Sequence, residues 1–361
     1  MNDVQYMQLA LDLAKSALGK TNPNPLVGAV IVKDDMIVGT GLHRKAGEPH
    51  AEVHAFQMAG DHAKGATLYV TLEPCSHFGK TPPCANLVKD SGVARVVVAM
   101  EDPNPAVAGR GIKLLRDAGI EVEVGVLKEE AYRLNERFIH NMLTNRPFVV
   151  SKTAMTLDGK IATVTGHSQW ITSEEARENV HHLRDQMDGI LVGIGTVLAD
   201  NPSLTTRLLD REGKNPTRII LDRTLRTPLD FNVCNTTVAP TIIVTEELDE
   251  AKQLPYKEAG VQLVTMPLHN LHAVLEKLYE MGITDILVEG GGKINAAFLA
   301  ADLFDKFIIY AAPKILGGQQ SITPFTGINL QSMNDAAPLV FDDVRLIGPD
   351  LRITAYPVRG I

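Results

Sequence analysis

Cysteine is scarce: 361 residues contain only Cys75, Cys84 and Cys234. So low and odd a count argues against a disulfide framework and leaves metal binding or plain burial. Long apolar runs are missing too, and none approaches the roughly 20 residues a membrane span needs. The N-terminus, MNDVQYMQLALDLAKSALG, interleaves Asp and Lys with apolar residues at helical spacing. A secretory signal would show a continuous apolar core, so a folded amphipathic helix and a cytoplasmic location are expected. A basic excess is likewise absent. Residues 1–145 hold 17 acidic and 15 basic side chains, and the remainder supplies −6 of the net −8. That balance weighs against a nucleic-acid partner but not against a single small phosphorylated metabolite. Hydrophobic residues at 45% and charged residues at 22% are the proportions of a globular enzyme-sized chain.

The patterns that are present alternate between helix and strand. A helix near 3–18 precedes two strands, LVGAVIVKD and MIVGTGLH, joined at the turn signal Asp34–Asp35. A helix from His50, the strand ATLYVTL, a helix from Pro83 and the strand RVVVAM follow. The helix GIKLLRDAG, the strand IEVEVG and a polar helix over 128–144 complete the first half. Asn145-Arg146-Pro147 marks a boundary, because the chain restarts with the buried-type strand FVVSKTAM. GILVGIG, TRIILD, TIIVT, VQLVTM, DILVEGG and KFIIYAAP read as further strands, with helices over 270–281 and from Lys293. Segments 206–216 and 319–338 are polar and read as surface loops. The expected architecture is two α/β domains, 1–145 and 146–361, the first a three-layer sheet.

The first domain is decided by H50-A-E52 and L72-E-P-C75-S-H-F-G-K-T-P-P-C84. Zinc favours imidazole and thiolate ligands in tetrahedral geometry, and a catalytic site leaves its fourth position to water. His50, Cys75 and Cys84 fill three positions. Glu52 is left over, which suits a general acid/base rather than a fourth ligand. Zinc lowers the pKa of its water to about 7, so hydrolytic attack on an amidine carbon is available, with Glu52 carrying the proton to departing ammonia. Two cysteines alone are usually buried thiols, and H-A-E alone means little; it is their combination after a strand ending in E-P-C that carries the assignment. The rival pair His50 and His54 does not match the zinc-protease pattern, where Glu directly follows the first His, so His54 is read as a packing or hydrogen-bonding residue. Both His50 and Cys84 follow proline at expected helix starts, where the dipole favours thiolate.

H-x-E followed by P-C resembles the nucleobase deaminase superfamily, but eight residues separate the cysteines where most members have two. The inserted SHFGKTPP, N22-P-N24-P-L-V-G upstream and D102-P-N104-P-A-V-A-G-R-G downstream resemble bacterial riboflavin-biosynthesis deaminase/reductases. The resemblance implies a cytidine-deaminase-like α/β/α domain followed by a dihydrofolate-reductase-like α/β domain. It also implies deamination of a diaminopyrimidinone ribosyl phosphate, then reduction of its ribose to a ribityl chain. His77 and Lys80 lie between two zinc ligands and are expected at the pocket rim, where a lysine can hold the substrate phosphate. Asn24 and Asn104, beside prolines, offer amide groups to pyrimidine or ribose edges, although turn asparagines are the bland alternative. His43, ending a strand, is a further candidate.

The second half carries S151-K-T-A-M-T-L-D-G-K-I-A, S168-Q-W-I-T-S, L191-V-G-I-G-T-V-L-A-D-N-P-S-L-T-T-R207 and V288-E-G-G-G. G193-I-G195-T-V-L fails the dinucleotide fingerprint because position 198 is Leu, yet its glycines permit close backbone approach. Gly290 to Gly292, between a strand and a helix, can cradle a pyrophosphate. By resemblance, Ala154, Trp170, Thr196, Asp200 and the stretch Gly291, Gly292, Lys293, Ile294 and Asn295 contact NADPH, with Arg223 facing the 2′-phosphate. Lys152, Ser168, Arg184, Leu204, Arg207 and Glu289 contact the ribosyl substrate, Arg184 and Arg207 as phosphate clamps. Lys152 and Asp200 are alternative proton donors, and the residues do not choose between them. Domains of this kind often pair, so a homo-oligomer is expected. Two other readings compete: a nucleoside or nucleic-acid deaminase with an accessory domain, and a structural zinc domain beside a ligand-binding domain. The cysteine spacing and acidic charge count against the former, and Glu52 against the latter.

Overall fold

The alternating patterns fold into two compact units, Met1–Asn145 and Arg146–Ile361. The structure is a computed structural model that describes residues 1–76, 83–105 and 107–358. Unit 1 comprises α1 (Asp3–Lys15), β1 (Gly28–Lys33), β2 (Met36–Leu42), α2 (Ala51–Ala59), β3 (Thr67–Val70), α3 (Cys84–Asp90), β4 (Arg95–Val98), α4 (Arg110–Asp117), β5 (Glu121–Val124), α5 (Lys128–Leu134) and α6 (Glu136–Thr144). Its five strands run in the order β2-β1-β3-β4-β5, with β1 antiparallel to β2 and β3, and β3, β4 and β5 parallel.

Register explains the three layers. Gly41 lies opposite Ala29, so Gly41 and Gly28 point to opposite faces of the sheet. A Cβ on Gly28 would meet the Ala10 carbonyl oxygen of α1 at 1.9 Å, and one on Gly41 would meet that of Ala51 in α2 at 2.0 Å. Each helix therefore presses its backbone onto the sheet at a position only glycine permits, one helix per face. α1 starts on a reciprocal cap: Asn2 accepts from the Gln5 amide, and Gln5 accepts from the Asn2 amide. The expected polar helix over 128–144 is broken at Asn135, whose buried side chain accepts from the Leu26 amide at 2.8 Å and donates to the Leu26 carbonyl at 3.0 Å. Pairing with the lead-in to β1 takes this residue out of regular helix.

Unit 2 contains β6 (Phe148–Thr156), α7 (Glu174–Asp185), β7 (Gly189–Gly193), α8 (Ile194–Asp200), β8 (Thr217–Leu221), β9 (Thr241–Thr245), α9 (Glu250–Glu258), β10 (Gln262–Thr265), α10 (Leu271–Glu280), β11 (Asp285–Val288), α11 (Gly292–Ala300), β12 (Lys306–Ala312), β13 (Leu339–Ile347) and β14 (Asp350–Pro357). The sheet order is β10-β9-β8-β7-β11-β6-β12-β14-β13, parallel except where β14 pairs with β12 and β13. Alternate residues feed opposite faces: Val149 joins the core under α10 and α11, whereas Phe148 and Val150 join that under α7. Among the described residues no helix is long and apolar enough to cross a membrane.

Candidate active sites

Parallel strands bind ligands beyond their carboxyl ends, and in unit 1 those ends carry the H-A-E and E-P-C segments. His50 is the N-cap of α2 and Cys84 is the first residue of α3. Cys75 follows β3. His50 Nδ1 lies 3.1 Å from Cys84 Sγ and 3.7 Å from Cys75 Sγ, and the Cys84 amide donates to Cys75 Sγ at 3.2 Å. Zinc bonds of 2.0–2.1 Å to nitrogen and 2.3 Å to sulfur put tetrahedral ligands about 3.6 Å apart. The donor set, with its ligand atoms within 4.8 Å of one another, fits that ion. His54 lies outside the cluster, its Cβ against β2 at Gly41.

Glu52, in the first turn of α2, is buried among these groups, and burial pushes its pKa up to about 6 against the pull of His50. The Cys75 thiol is lowered to about 4, foremost by a hydrogen bond from Cys84, whose own thiol is raised. One proton is thus shared by two thiols that a metal would take as thiolates. The His50 imidazole is raised, chiefly by its hydrogen bond to Cys75.

A second layer holds these groups. Asn24 donates to Nε2 of His43 at 3.0 Å, and His43 Nδ1 contacts the Pro49 carbonyl at 3.2 Å, immediately before His50. One neutral tautomer satisfies both contacts, and burial lowers the His43 pKa in agreement. Asn24 therefore stands behind His50 through His43. Glu73 was not anticipated. Its buried carboxylate accepts from the amides of Asp102, Gly109, Gly111 and Ile112 at 3.1, 2.9, 2.7 and 3.2 Å. It closes the loop that carries Asn104, whose amide donates to Asp102 Oδ1 at 2.8 Å. The partners lie 29 to 39 residues from Glu73, so no local spacing signals them. His77 and Lys80 lie outside the described residues.

Unit 2 opens a cavity of about 870 Å³ at the carboxyl ends of its parallel strands. Lys152, Ser168, Arg184, Arg207 and Glu289 line it, together with Ala154, Trp170, Thr196 and Asp200 and the run Gly291, Gly292, Lys293, Ile294 and Asn295. Leu204 and Arg223 are not among its walls; Leu204 is buried, in a left-handed conformation, and Arg223 lines a neighbouring cavity. Glu289 is the electrostatic centre. Arg184 grips it with two hydrogen bonds of 2.7 and 3.0 Å, and Lys152 Nζ stands 3.4 Å away. Burial opposes its ionisation, yet Arg184 and then Lys152 win and hold the carboxyl at about 2.

Arg184, expected as a phosphate clamp, is buried with its guanidinium turned to Glu289 and the Thr205 carbonyl. Arg207 donates to Thr205 Oγ1 at 3.0 Å and has no carboxylate partner among the described residues. His181, one helical turn before Arg184, also lines the cavity and accepts from the Arg207 amide at 3.3 Å. Burial, with the positive charges of Arg184 and Arg207, lowers its pKa to about 4. Its i, i+3 spacing from Arg184 was the one available signal.

A dinucleotide fits the cavity wall on structural grounds. Gly291 caps α11, a Cβ on Gly292 would collide with Thr326 Oγ1 at 2.1 Å, and the buried Oδ1 of Asn295 has no hydrogen-bond partner. The turn presents helix-terminal amides, and Asn295 presents an unfilled acceptor beside them.

Comparison with known proteins matches residues 1–100 to the cytidine and deoxycytidylate deaminase zinc-binding region and residues 147–353 to the RibD C-terminal domain. The riboflavin biosynthesis protein RibD of Bacillus amyloliquefaciens is 49% identical over 98% of this chain and 96% of its own length. That of Escherichia coli K12 is 42% identical over 97% and 98%. RibD of Acinetobacter baumannii, a solved structure, superposes with a TM-score of 0.89 at 40% identity, covering 99% of both chains. A deaminase/reductase of Thermotoga maritima gives 0.89 at 41% identity, again over 99% of each. The resemblance drawn from the motifs is thereby established, together with zinc and NADPH as the family's cofactors. The chain belongs to the RibD family of bifunctional deaminase/reductases of riboflavin biosynthesis.

Proposed function

We propose that unit 1 hydrolytically deaminates 2,5-diamino-6-ribosylamino-4(3H)-pyrimidinone 5′-phosphate and that unit 2 then reduces the ribosyl group of 5-amino-6-(5-phosphoribosylamino)uracil to ribityl. The observation that carries this is the pairing, in one chain, of a His50–Cys75–Cys84 cluster beside buried Glu52 with a cavity centred on Glu289. In unit 1, His50, Cys75 and Cys84 would hold zinc, which would supply the Lewis acidity that makes water nucleophilic near neutral pH. Glu52, raised toward neutrality, takes a proton from water and gives it to the departing amine. Asn24, behind His50 through His43, and Asn104, on the loop that Glu73 closes, are the proposed substrate contacts with His77 and Lys80, which lie outside the described residues.

In unit 2 the cavity lined by Ala154, Trp170, Thr196 and the turn at Gly291 and Gly292 would hold the dinucleotide, which when bound would supply the hydride for reduction at the sugar C1′. Glu289, fixed by Arg184, orients the sugar hydroxyls, and Arg207 with its open guanidinium takes the phosphate. Of the two candidate proton donors, Lys152 stands beside Glu289, whereas Asp200 is exposed at the end of α8. This favours Lys152. The proposal includes a cytoplasmic location and a homo-oligomer; support for the latter is β13, the free edge of the sheet, where Phe341 is 71% exposed. Mass spectrometry of the aminopyrimidinone substrate incubated with purified protein tests the activities. Ammonia loss without NADPH, and gain of two hydrogens with it, is the expected result. Absence of reduction with zinc present overturns the assignment of unit 2.

A further inference from the structure

Residues Ser168 to Thr172 form one wall of the cavity in unit 2, and two cations hold that wall. Arg177 of α7 donates to the Thr172 carbonyl at 2.8 Å and lays its guanidinium 4.6 Å from the centroid of the Trp170 ring. Lys314, two residues past β12, donates from Nζ to the carbonyls of Trp170 at 2.9 Å and Ile171 at 2.7 Å. Three successive carbonyls are thus taken by side chains from two separate elements. Lys314 is itself anchored. Its carbonyl accepts from the Leu157 amide at 2.9 Å, and Asp158 accepts from the amides of Leu316 and Gly317 at 3.0 and 2.7 Å. At the other end of the wall, the Ser173 amide donates to Asp350 Oδ2 at 2.7 Å.

What is held so firmly is a ring left in the open. Trp170 is the single tryptophan of the chain and is 63% exposed, whereas a large aromatic side chain gains most from burial. One face of the ring lies under Arg177, so the other is the face left to the cavity. Arg177 has no carboxylate partner among the described residues, which leaves its charge to the ring and to the Thr172 carbonyl. We propose that Arg177 and Lys314 are positioning residues that hold Trp170 so that its open face stacks on a flat ring of the dinucleotide. The assignment rests on the reading that Trp170 contacts NADPH, and it adds what keeps that contact in place. Lys314 is not among the cavity walls, so it acts only through the segment it holds. Arg177 does line the cavity, so a direct contact with the cofactor is the alternative to be separated.

Because the chain has one tryptophan, the ring itself can be watched. Near-ultraviolet circular dichroism and acrylamide quenching of Trp170 are measured on nucleotide-free, zinc-loaded full-length protein. Wild type, Arg177→Ala, Arg177→Lys and Lys314→Met are compared, with NADPH affinity from calorimetry and with kcat and KM for reduction. Lys314 is exposed, so its variant keeps the test open should Arg177→Ala fail to fold. Arg177→Ala and Lys314→Met are expected to weaken the indole dichroism and to make the ring easier to quench. Both should weaken NADPH about two- to fivefold, the scale of an exposed cation–π contact, with kcat at saturating NADPH nearly constant. Arg177→Lys, which keeps a cation, should lie between. In a Trp170→Ala background, Arg177→Ala should cause no further loss of NADPH affinity. Unchanged Trp170 spectra in both variants overturn the assignment. So does an Arg177→Ala loss that persists undiminished without Trp170, because Arg177 would then be a direct cofactor contact. If Trp170→Ala binds NADPH as tightly as wild type, the underlying reading of Trp170 fails instead, and the spectra still report separately whether the two cations hold the ring.

Discussion

In unit 1 the reacting groups come from two short sequence segments, the start of α2 and the stretch from the end of β3 to the start of α3, and in unit 2 they are gathered from β6, α7 and the turn after β11. The first arrangement puts its charge on a metal and the residues around it. The second puts it into a buried network in which one carboxylate, Glu289, faces Arg184 and Lys152. The difference teaches what each unit loses when one carboxylate is removed. Glu52 stands next to the cluster with no Lys or Arg paired to it among the described residues, so its loss should fall on chemistry. Glu289 neutralises two cations, so its loss should fall on chemistry and stability together.

The sharpest test of that contrast is Glu52→Gln. General acid/base groups contribute about 10²–10⁴-fold, so deamination should drop by about three orders of magnitude while zinc content and reduction of the deaminated substrate stay unchanged. Metal analysis and separate assays of the two steps read this directly. Zinc loss in the variant would make Glu52 a ligand, and loss of both activities would erase the distinction between the units.

Glu289→Gln comes next. Removing one partner of a buried ion pair typically costs about 3–5 kcal/mol, so reduction should fall by at least about a hundredfold and unit 2 should unfold at lower denaturant, with deamination preserved in native buffer. The pH dependence has a definite sign. The Glu289 carboxyl is held at about 2 against an ordinary value of 4.5, so its contribution is complete above 4.5 and fades as pH falls toward 2. The variant should lack that acid-limb loss. A variant as acid-sensitive as wild type would show that Glu289 is not what unit 2 depends on.

The same contrast governs what the sequence revealed. That His50, Cys75 and Cys84 come together was legible because a metal-binding pattern constrains residue type and spacing locally, and Glu52 follows His50 by two residues. Most strands were legible too, since a buried parallel strand is a nearly continuous apolar run. The hairpin β13–β14 was not read, and β13 explains why: it is largely exposed on both faces, with a register shift between Phe341 and Asp343, so its hydrophobicity reports no core. α9 was missed because Pro255 lies inside it, and α8 because Gly193 and Gly195 suggest a loop. Gly193 is in fact the N-cap, so the expected strand GILVGIG stops there and turns into helix. Glu73 and the capture of Arg184 by Glu289 depend on pairs 29 to 105 residues apart, and no periodicity encodes them.

Glu73→Gln probes whether unit 1 also has a buried carboxylate of the kind unit 2 relies on. Glutamine keeps one acceptor oxygen, so about half of the four amide bonds that close the loop from Asp102 to Ile112 are lost. The loop carries Asn104, a proposed substrate contact, and misplacement should appear as KM. A rise of about tenfold in KM for the deaminase substrate is expected, the scale of roughly 1.4 kcal/mol, with kcat and zinc content nearly constant and Glu73→Asp intermediate. A fall in kcat at constant KM would assign Glu73 to the chemistry instead.

The smallest effect belongs to a charge network in unit 1 that resembles Glu289 in partners but not in burial. Asp3, in the first turn of α1, accepts two hydrogen bonds from Arg95 of β4 at 3.0 and 2.8 Å and one from the Tyr69 hydroxyl at 2.6 Å. Arg95 also meets Glu121 and Glu123 of β5. These contacts, Arg95 first, hold the Asp3 carboxyl at about 2. Its side chain is 35% exposed, however, so water screens the pair and leaves Arg95 other partners when it is lost. Asp3→Asn should therefore cost less than about 1 kcal/mol. Its contribution is present above the ordinary value of 3.8 and disappears as pH falls toward 2, the same direction as for Glu289. Denaturant unfolding of the two single variants and the double variant compares them at one pH. A cost for Asp3→Asn equal to that of Glu289→Gln would mean that exposure does not separate the two networks, and that α1 is held to the sheet by charge rather than by the backbone contact at Gly28.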